Sequence, residues 1–213
     1  MGIIKQGILG GFSGKVGSVV GTSWKGRAVM KAMPLSVANP RSTGQVNQRT
    51  KFSGCVALAK ELLGGSIATF DNPFAGNVSG YNRFVKRNVT AFNTNGALIK
   101  PNLKISEGVL GTSKISGSPT LNTGRDAIAM NVTSNDSPYN LDSDKVYAVV
   151  ISSVDDEVLA SGGVPCGTRG NNTITIALNR PLAADENVSI YRAYIRNDKK
   201  YASDTVYTSW TFE

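Results

Sequence analysis

Gly10-Gly11-Phe12-Ser13-Gly14-Lys15 is the first place in this sequence where a reactive group meets a tight backbone. A serine between glycines is the local form of a nucleophile elbow, and Gly-Lys is the close of a phosphate-binding loop. Both readings fail on what surrounds them. The 213-residue chain holds no histidine, which removes Ser-His-Asp and Cys-His catalysis, histidine metal ligation and imidazole pH switching. Val16 follows Lys15, where a phosphate-binding loop needs a hydroxyl for Mg²⁺. Asp155-Asp156-Glu157 has the carboxylates for a hard cation but neither the spaced ligands nor the glycine of an EF-hand loop. Between two strand-like runs it reads as a solvated hairpin turn, and Asp142 and Asp144 read the same way. The two cysteines, Cys55 and Cys166, are too few for a zinc site or a disulfide framework. They read as buried free thiols. The expectation is a non-enzymatic chain with no cofactor, no metal and no small-molecule substrate.

The cations carry more information. Residues 1–105 hold 14 Lys and Arg against Glu61 and Asp71 alone, and the first sixty residues hold no acid. Residues 106–213 hold 9 Lys and Arg against 13 acids. The net charge of +8 therefore belongs to the first half, while the second is mildly acidic. Such a split suits a polyanion, an acidic partner, or contact between oppositely charged halves of neighbouring copies. Lys15, Lys25, Arg27, Lys31, Arg41, Arg49 and Lys51 are spread among Phe12, Trp24 and Phe52. Cations interleaved with aromatics can track phosphates and stack bases, although the spacing matches no named nucleic-acid module. Arg41 and Arg49 equally suit carboxylates of an adjoining subunit.

Three kinds of element must position these residues. Residues 1–33 are punctuated by Gly7, Gly10, Gly11, Gly14, Gly17, Gly21 and Gly26, too many for a helix. They read as an extended arm or loose hairpin turning at Lys25-Gly26. Beyond Pro34 and Pro40 a helix capped by Ser42 or Thr43 carries Val46, Phe52, Val56, Ala59, Leu62 and Leu63 to a stop at Gly64-Gly65. A second helix runs from Ser79 towards Phe92, with Tyr81, Phe84, Val85, Val89 and Phe92 as its apolar stripe and Arg83, Lys86 and Arg87 as a basic face. From about residue 97 the texture becomes strand-like. Short runs alternate apolar with polar at Leu103–Val109, Ile128–Val132, Val146–Ile151, Ile174–Leu178, Val188–Ile190 and Tyr201–Phe212. Clusters such as Ser134-Asn135-Asp136 and Gly170-Asn171-Asn172 separate them. About seven short strands in this length fit an immunoglobulin- or fibronectin-like sandwich of a disulfide-free kind. The expected fold is α+β, with a basic Gly-rich arm plus helical hairpin over 1–96 and the β-sandwich over 97–213. No apolar run approaches membrane-spanning length, and the first residues lack the apolar core and cleavage site of a signal peptide. The expectation is a soluble protein that does not enter a membrane.

The run from Gly10 to Gly54 resembles an uncharacterised family found in Bacteroidota bacteria and their tailed phages, the crAss-like ones included. The resemblance lies in Gly14-Lys15-Val16-Gly17, Val19-Val20-Gly21, Trp24-Lys25-Gly26 and Asn39-Pro40-Arg41, with Gln45, Gln48, Arg49 and Phe52. Ser79-Gly80-Tyr81-Asn82 and the closing run from Tyr191 to Tyr207 are also similar. The resemblance implies a structural role in a virion, as a head–tail connector ring, tail or capsid-associated subunit assembled in the host cytoplasm. Its partners would be other virion proteins and copies of itself. The residues expected at the subunit interface are Lys15, Trp24, Lys25, Arg41, Gln45, Arg49 and Phe52. The competing expectation is a bacterial nucleic-acid or polyanion binder using the same cations.

Overall fold

The computed structural model describes residues 2–3, 11–36, 38–134 and 137–212. Gly7, Gly10 and the Asn135-Asp136 part of one loop signal lie outside them. The chain forms two compact units, 1–42 and 43–213.

In the first unit, strands β1 (Gly2–Ile3), β2 (Gly14–Val16), β3 (Val19–Trp24) and β4 (Arg27–Ala32) form an antiparallel sheet in the order β1-β4-β3-β2. The β3–β4 turn is Lys25-Gly26, with φ of 48° and 76°. Two successive positive φ values are the mark of the I′ hairpin turn, whose twist matches that of the strands, and glycine is at ease in its second position.

The second unit begins with helix α1 (Thr43–Glu61). A wound segment, Leu63–Asp71, follows it and kinks at Gly65. A side chain at Gly65 would sit 2.0 Å from the Ser161 carbonyl oxygen, so only glycine allows this close approach. Helix α2 (Gly80–Asn88) starts where Ser79 Oγ accepts from the Asn82 amide at 3.2 Å. Seven of the eight following strands build two sheets: β5 (Ser113–Ile115), β7 (Ala127–Ser134) and β10 (Thr173–Ala177) in the order β10-β7-β5, and β8 (Lys145–Ser152), β9 (Val158–Thr168), β11 (Glu186–Ile195) and β12 (Val206–Phe212) in the order β12-β11-β8-β9. The eighth, β6 (Thr120–Leu121), also pairs with β7.

The β8 and β11 strands explain how these layers fit. Val146, Ala148 and Val150 of β8, with Val188, Ile190 and Tyr194 of β11, share a core with Ile128, Met130, Ile174 and Ile176 of the other sheet. Their neighbours on the opposite face, Val149, Ile151, Tyr191, Ala193 and Ile195, share a second core with Cys55, Leu62, Phe70 and Phe84 of the helical segments. The central sheet is thus covered on both sides. Its two middle strands, β8 and β11, are buried almost throughout rather than on alternate residues, as expected for strands covered on both faces.

That covering moves the domain boundary. The sequence reading places it at 96/97, whereas the compact units divide at Ser42/Thr43. Cys55, Leu58 and Ala59 of α1, with Leu62 after it, and Phe84, Val85 and Phe92 are buried in one core with the central sheet, while Val46, Phe52 and Leu63 of the expected α1 stripe stay exposed. Leu103 and Ile105 are buried in this same core but form no strand. A short 3₁₀ turn, Lys100–Asn102, precedes them. The Asn88 carboxamide ties this segment down, accepting from the Lys104 amide at 2.8 Å and donating to its carbonyl at 2.9 Å.

Two buried charges also correct the sequence reading. Arg87 does not belong to a free basic face: its two terminal guanidinium nitrogens donate to the Asp71 carboxylate, at 2.8 and 3.0 Å, and Arg83 lies 3.5 Å from the same group. Burial pushes the Asp71 carboxyl up, against the pull of these two arginines. Asp144, read as a solvated turn, is fully buried and accepts from Arg169 Nε at 3.2 Å.

Glu186 anchors the other end of β11. Arg180 donates to it at 2.8 and 3.0 Å, Ser152 Oγ at 2.6 Å and the Ala183 amide at 2.9 Å. The Arg180 hydrogen bonds, helped by those of Ser152 and Ala183 and opposed by burial, hold its carboxyl down at about 2. A carboxyl with a depressed folded-state value stabilises the fold above its unfolded value, and the gain disappears as pH falls through the folded one. Stability measured by urea melts is therefore expected to fall between about pH 5 and pH 2 by roughly 2–3 kcal/mol from this group. Glu186→Gln should lower stability at pH 7 and flatten that acid limb.

Candidate interaction surface

The sheet of residues 1–42 gathers the cations of the N-terminal segment. Residues directly opposite one another in an antiparallel pair lie on the same face. Lys15 faces Val20, which faces Lys31, and two and four residues further along β3 Thr22 faces Val29 and Trp24 faces Arg27. One face therefore carries Lys15, Trp24, Arg27 and Lys31, all exposed. Lys25, in the turn, places its Nζ 5.1 Å from the Trp24 ring centroid, within cation–π range. The other face carries Val16, Val19 and Met30, with Phe12 lying against Gly21.

Little of this apolar material is covered. Val29 is the large apolar residue buried among the described residues of this unit. Trp24 is 60% exposed, Val16 66% and Leu35 fully so. With no acidic residue in the first sixty, no carboxylate from this unit offsets its charge.

The other expected interface residues lie on or just before α1. Gln45, Arg49 and Phe52 follow one another at i, i+4 and i+7, which places them on one helical face. All three are exposed, Phe52 by 51%. No residue of α1 before Cys55 is buried, so the first half of the helix is a solvent-facing stalk and its second half is the part that packs. Arg41 is exposed in the connector ahead of it. Thus Lys15, Trp24 and Lys25 come together on one hairpin sheet, and Gln45, Arg49 and Phe52 on one helical stripe.

Ser13 is exposed just before β2. Asp155-Asp156-Glu157 forms the β8–β9 turn, where Asp156 pairs with Lys100 at 3.0 Å and Glu157 with Arg180 at 2.8 Å. Among the described residues no group of three or more Cys, Asp or Glu is placed to hold a metal ion. Both cysteines are free. Cys55 is buried as expected, while Cys166 is only half-buried and lines a cleft of about 400 Å³ between β9 and β10. Burial pushes both thiols up to about 11, which leaves them protonated and weakly nucleophilic at neutral pH.

Sequence reasoning missed a polar cluster where β8 begins and β9 and β11 end. Arg169 lies over the Tyr194 ring at 3.9 Å, Arg196 over Tyr201 at 4.6 Å, and Tyr139 stacks on Tyr201 at 5.7 Å. Arg196 also donates to the Tyr139 carbonyl. No local spacing announces this arrangement, because its members come from four separate segments. The Asp71–Arg87 pair was closer to legible: Asp71 is one of two acids in the first 105 residues, and Arg83 and Arg87 share one helical face.

No curated protein matches the chain. Among solved structures, the twitchin kinase region of C. elegans (Fn31-NL-kin-CRD-Ig26) is similar over 48% of this chain and 16% of its own length, at 11% identity and a TM-score of 0.31. That likeness is too slight to carry an argument. Residues 11–209, which take in the glycine-spaced sheet, both helices and nearly all of the strands, match one family throughout. The chain belongs to the family of unknown function DUF6266.

Proposed function

We propose that this chain is a non-enzymatic structural subunit of a tailed-phage virion, repeated in the particle and joined to its neighbours through its basic N-terminal part. The observation that carries the assembly reading is the four-stranded sheet of residues 1–42, which buries Val29 while leaving Val16, Trp24, Met30, Met33 and Leu35 exposed. Small sheets gain their stability from a covered apolar face, and exposed apolar surface of this kind marks a contact site. The virion setting rests on the resemblance to proteins of Bacteroidota and their phages. The proposed setting is a connector ring, tail or capsid-associated layer, assembled in the host cytoplasm.

The second unit supplies the rigid body. Its sheet orders support an immunoglobulin- or fibronectin-like reading. Lettered along the chain as A, B, C, C′, E, F and G, the main strands fall into an A-B-E sheet and a G-F-C-C′ sheet. These orders are what the constant-type immunoglobulin arrangement would give with its fourth strand moved to the opposite sheet. In this reading the sandwich is a spacer or a second interface.

The test is the mass of the purified protein in solution, together with mass spectrometry of purified virions. Concentration-dependent oligomers that Trp24→Ala weakens are expected, with the chain present in the particle. A strict monomer at high concentration, missing from virions, would overturn the reading.

A second reading, polyanion binding, is favoured by the placement of Lys15, Arg27, Lys31 and Trp24 on one face. It requires affinity for DNA to fall steeply between low and physiological salt, and neutralising Lys15, Lys25 and Arg27 to abolish binding.

A further inference from the structure

The turn between β3 and β4 and a pocket of the second unit carry complementary groups, an aromatic ring with cations on one and an apolar floor with acids around it on the other. The pocket, of about 220 Å³, lies between α1 and the β8–β9 turn. Leu58, Phe92 and Leu98 form its apolar floor, and Glu61, Asp155 and Asp156 stand around it. All three acids are exposed. Asp156 shares one oxygen with Lys100, while Glu61 and Asp155 have no ion-pair partner among the described residues. Glu61 is also distinctive by position. The other acid of the first 105 residues, Asp71, is fully buried against arginines, so Glu61 alone gives the helical part an exposed carboxylate.

The β3–β4 turn carries the matching groups. Trp24 is exposed with the Lys25 ammonium held over its ring, and Arg27 pairs opposite Trp24. An aromatic plate and two cations therefore arrive together at the tip of a two-residue turn. A turn of this kind has little freedom to lose on docking, which favours its use as a ligand. Its unit has no acid to compete for the cations.

We infer that the Trp24–Arg27 turn of one copy docks in the Glu61/Asp155/Asp156 pocket of a second copy. Trp24 lies on the apolar floor, and Lys25 and Arg27 meet the acids at the rim. This rests on the assembly reading above and specifies the receiving surface. Every copy carries one turn and one pocket, so the contact is head-to-tail. Repetition closes a ring if the rotation between copies allows it, and otherwise extends a filament.

Two full-length variants test this by sedimentation. One, Lys25→Glu with Arg27→Glu, has a repelling turn and an intact pocket. The other, Glu61→Lys with Asp155→Lys, has the reverse. All four positions are exposed, and circular dichroism checks that both variants fold. Each alone is expected to associate at least about tenfold more weakly than the wild type, since like charges are opposed at the contact. In a mixture of the two, the intact turn of one variant meets the intact pocket of the other and the reversed turn meets the reversed pocket, so the mixture is expected to recover the association that each variant loses alone. If the pocket variant assembles like the wild type while the turn variant does not, the inferred pocket is wrong but assembly through the N-terminal unit stands. If each variant is monomeric and the mixture gives no dimer, the turn-to-pocket contact between copies is overturned. A monomeric wild type overturns both this inference and the assembly reading.

Discussion

Phe84→Ala is expected to destabilise the whole 43–213 unit by about 3–5 kcal/mol, the usual cost of emptying a buried aromatic site. Phe84 is fully buried among residues of α1, the Leu63–Asp71 segment and the central sheet. Its removal therefore opens a cavity at the junction of helices and strands, not inside a separate helical hairpin. Far-ultraviolet dichroism, which follows the helices, and Trp210 fluorescence, which follows β12, should shift to lower denaturant together. If the helical signal moved and the strand signal stayed, the helices would be a separate domain and the boundary would return to residue 96.

Asp71→Ala should cost a similar amount, about 3–5 kcal/mol, for a different reason. It leaves the Arg87 guanidinium, whose side chain is 9% exposed, without its carboxylate. An uncompensated buried charge is far more costly than the intact pair is favourable. Arg87 would retain only the Lys104 and Ile105 carbonyls, at 3.0 and 3.1 Å. The paired change Asp71→Ala with Arg87→Met should recover much of the loss, because it removes the charge that had become unpaired. Urea melts of the two single variants and the double variant measure this directly. A double variant as unstable as the sum of the singles would mean that the two side chains act independently.

The elements legible in the sequence were those specified by neighbouring residues. Lys25-Gly26 is recognisable as a turn because glycine readily takes the positive φ that the second position of such a turn requires. Ser79 is recognisable as a helix start because its hydroxyl serves an amide three residues away. The α+β class and the antiparallel strands follow from the same local signals. What could not be read was whatever depends on a distant surface. Val149 and Ile151 are apolar because helices cover their face, yet no feature near them announces those helices. Leu103 and Ile105 resemble a strand because burial asks for the same side chains whether or not the backbone pairs. The winding of Leu63–Asp71 depends on Gly65 meeting Ser161, nearly a hundred residues on.

The expected interface residues divide along the same line. The exposure of the cations was legible, since a glycine-rich, acid-free stretch offers little to bury them; that of Trp24 and Phe52 was not, because an aromatic in an arm or on a helical apolar stripe suits a core equally well. Their grouping was not, because the hairpin register decides that Lys15, Trp24, Arg27 and Lys31 share a face. Asp144 shows the opposite error. Its neighbours Asp142 and Ser143 are loop-forming residues, and only the packing of Arg169 from the end of β9 turns it into a buried ion.

The doubly covered central sheet also has a bearing on how the chain emerges from a ribosome. The buried apolar residues at the end of α1 and along α2 are synthesised well before β8 and β11, the strands that share their core. Until residue 195 has left the exit tunnel, Leu62, Phe70 and Phe84 have no completed surface to close upon. Contacts spanning such sequence distances slow folding, and apolar surface exposed meanwhile invites aggregation. The interval between translation of α2 and of β11 is therefore the vulnerable stage in the life of this chain. Chaperone capture, or arrest of a nascent chain truncated before β11, would reveal it.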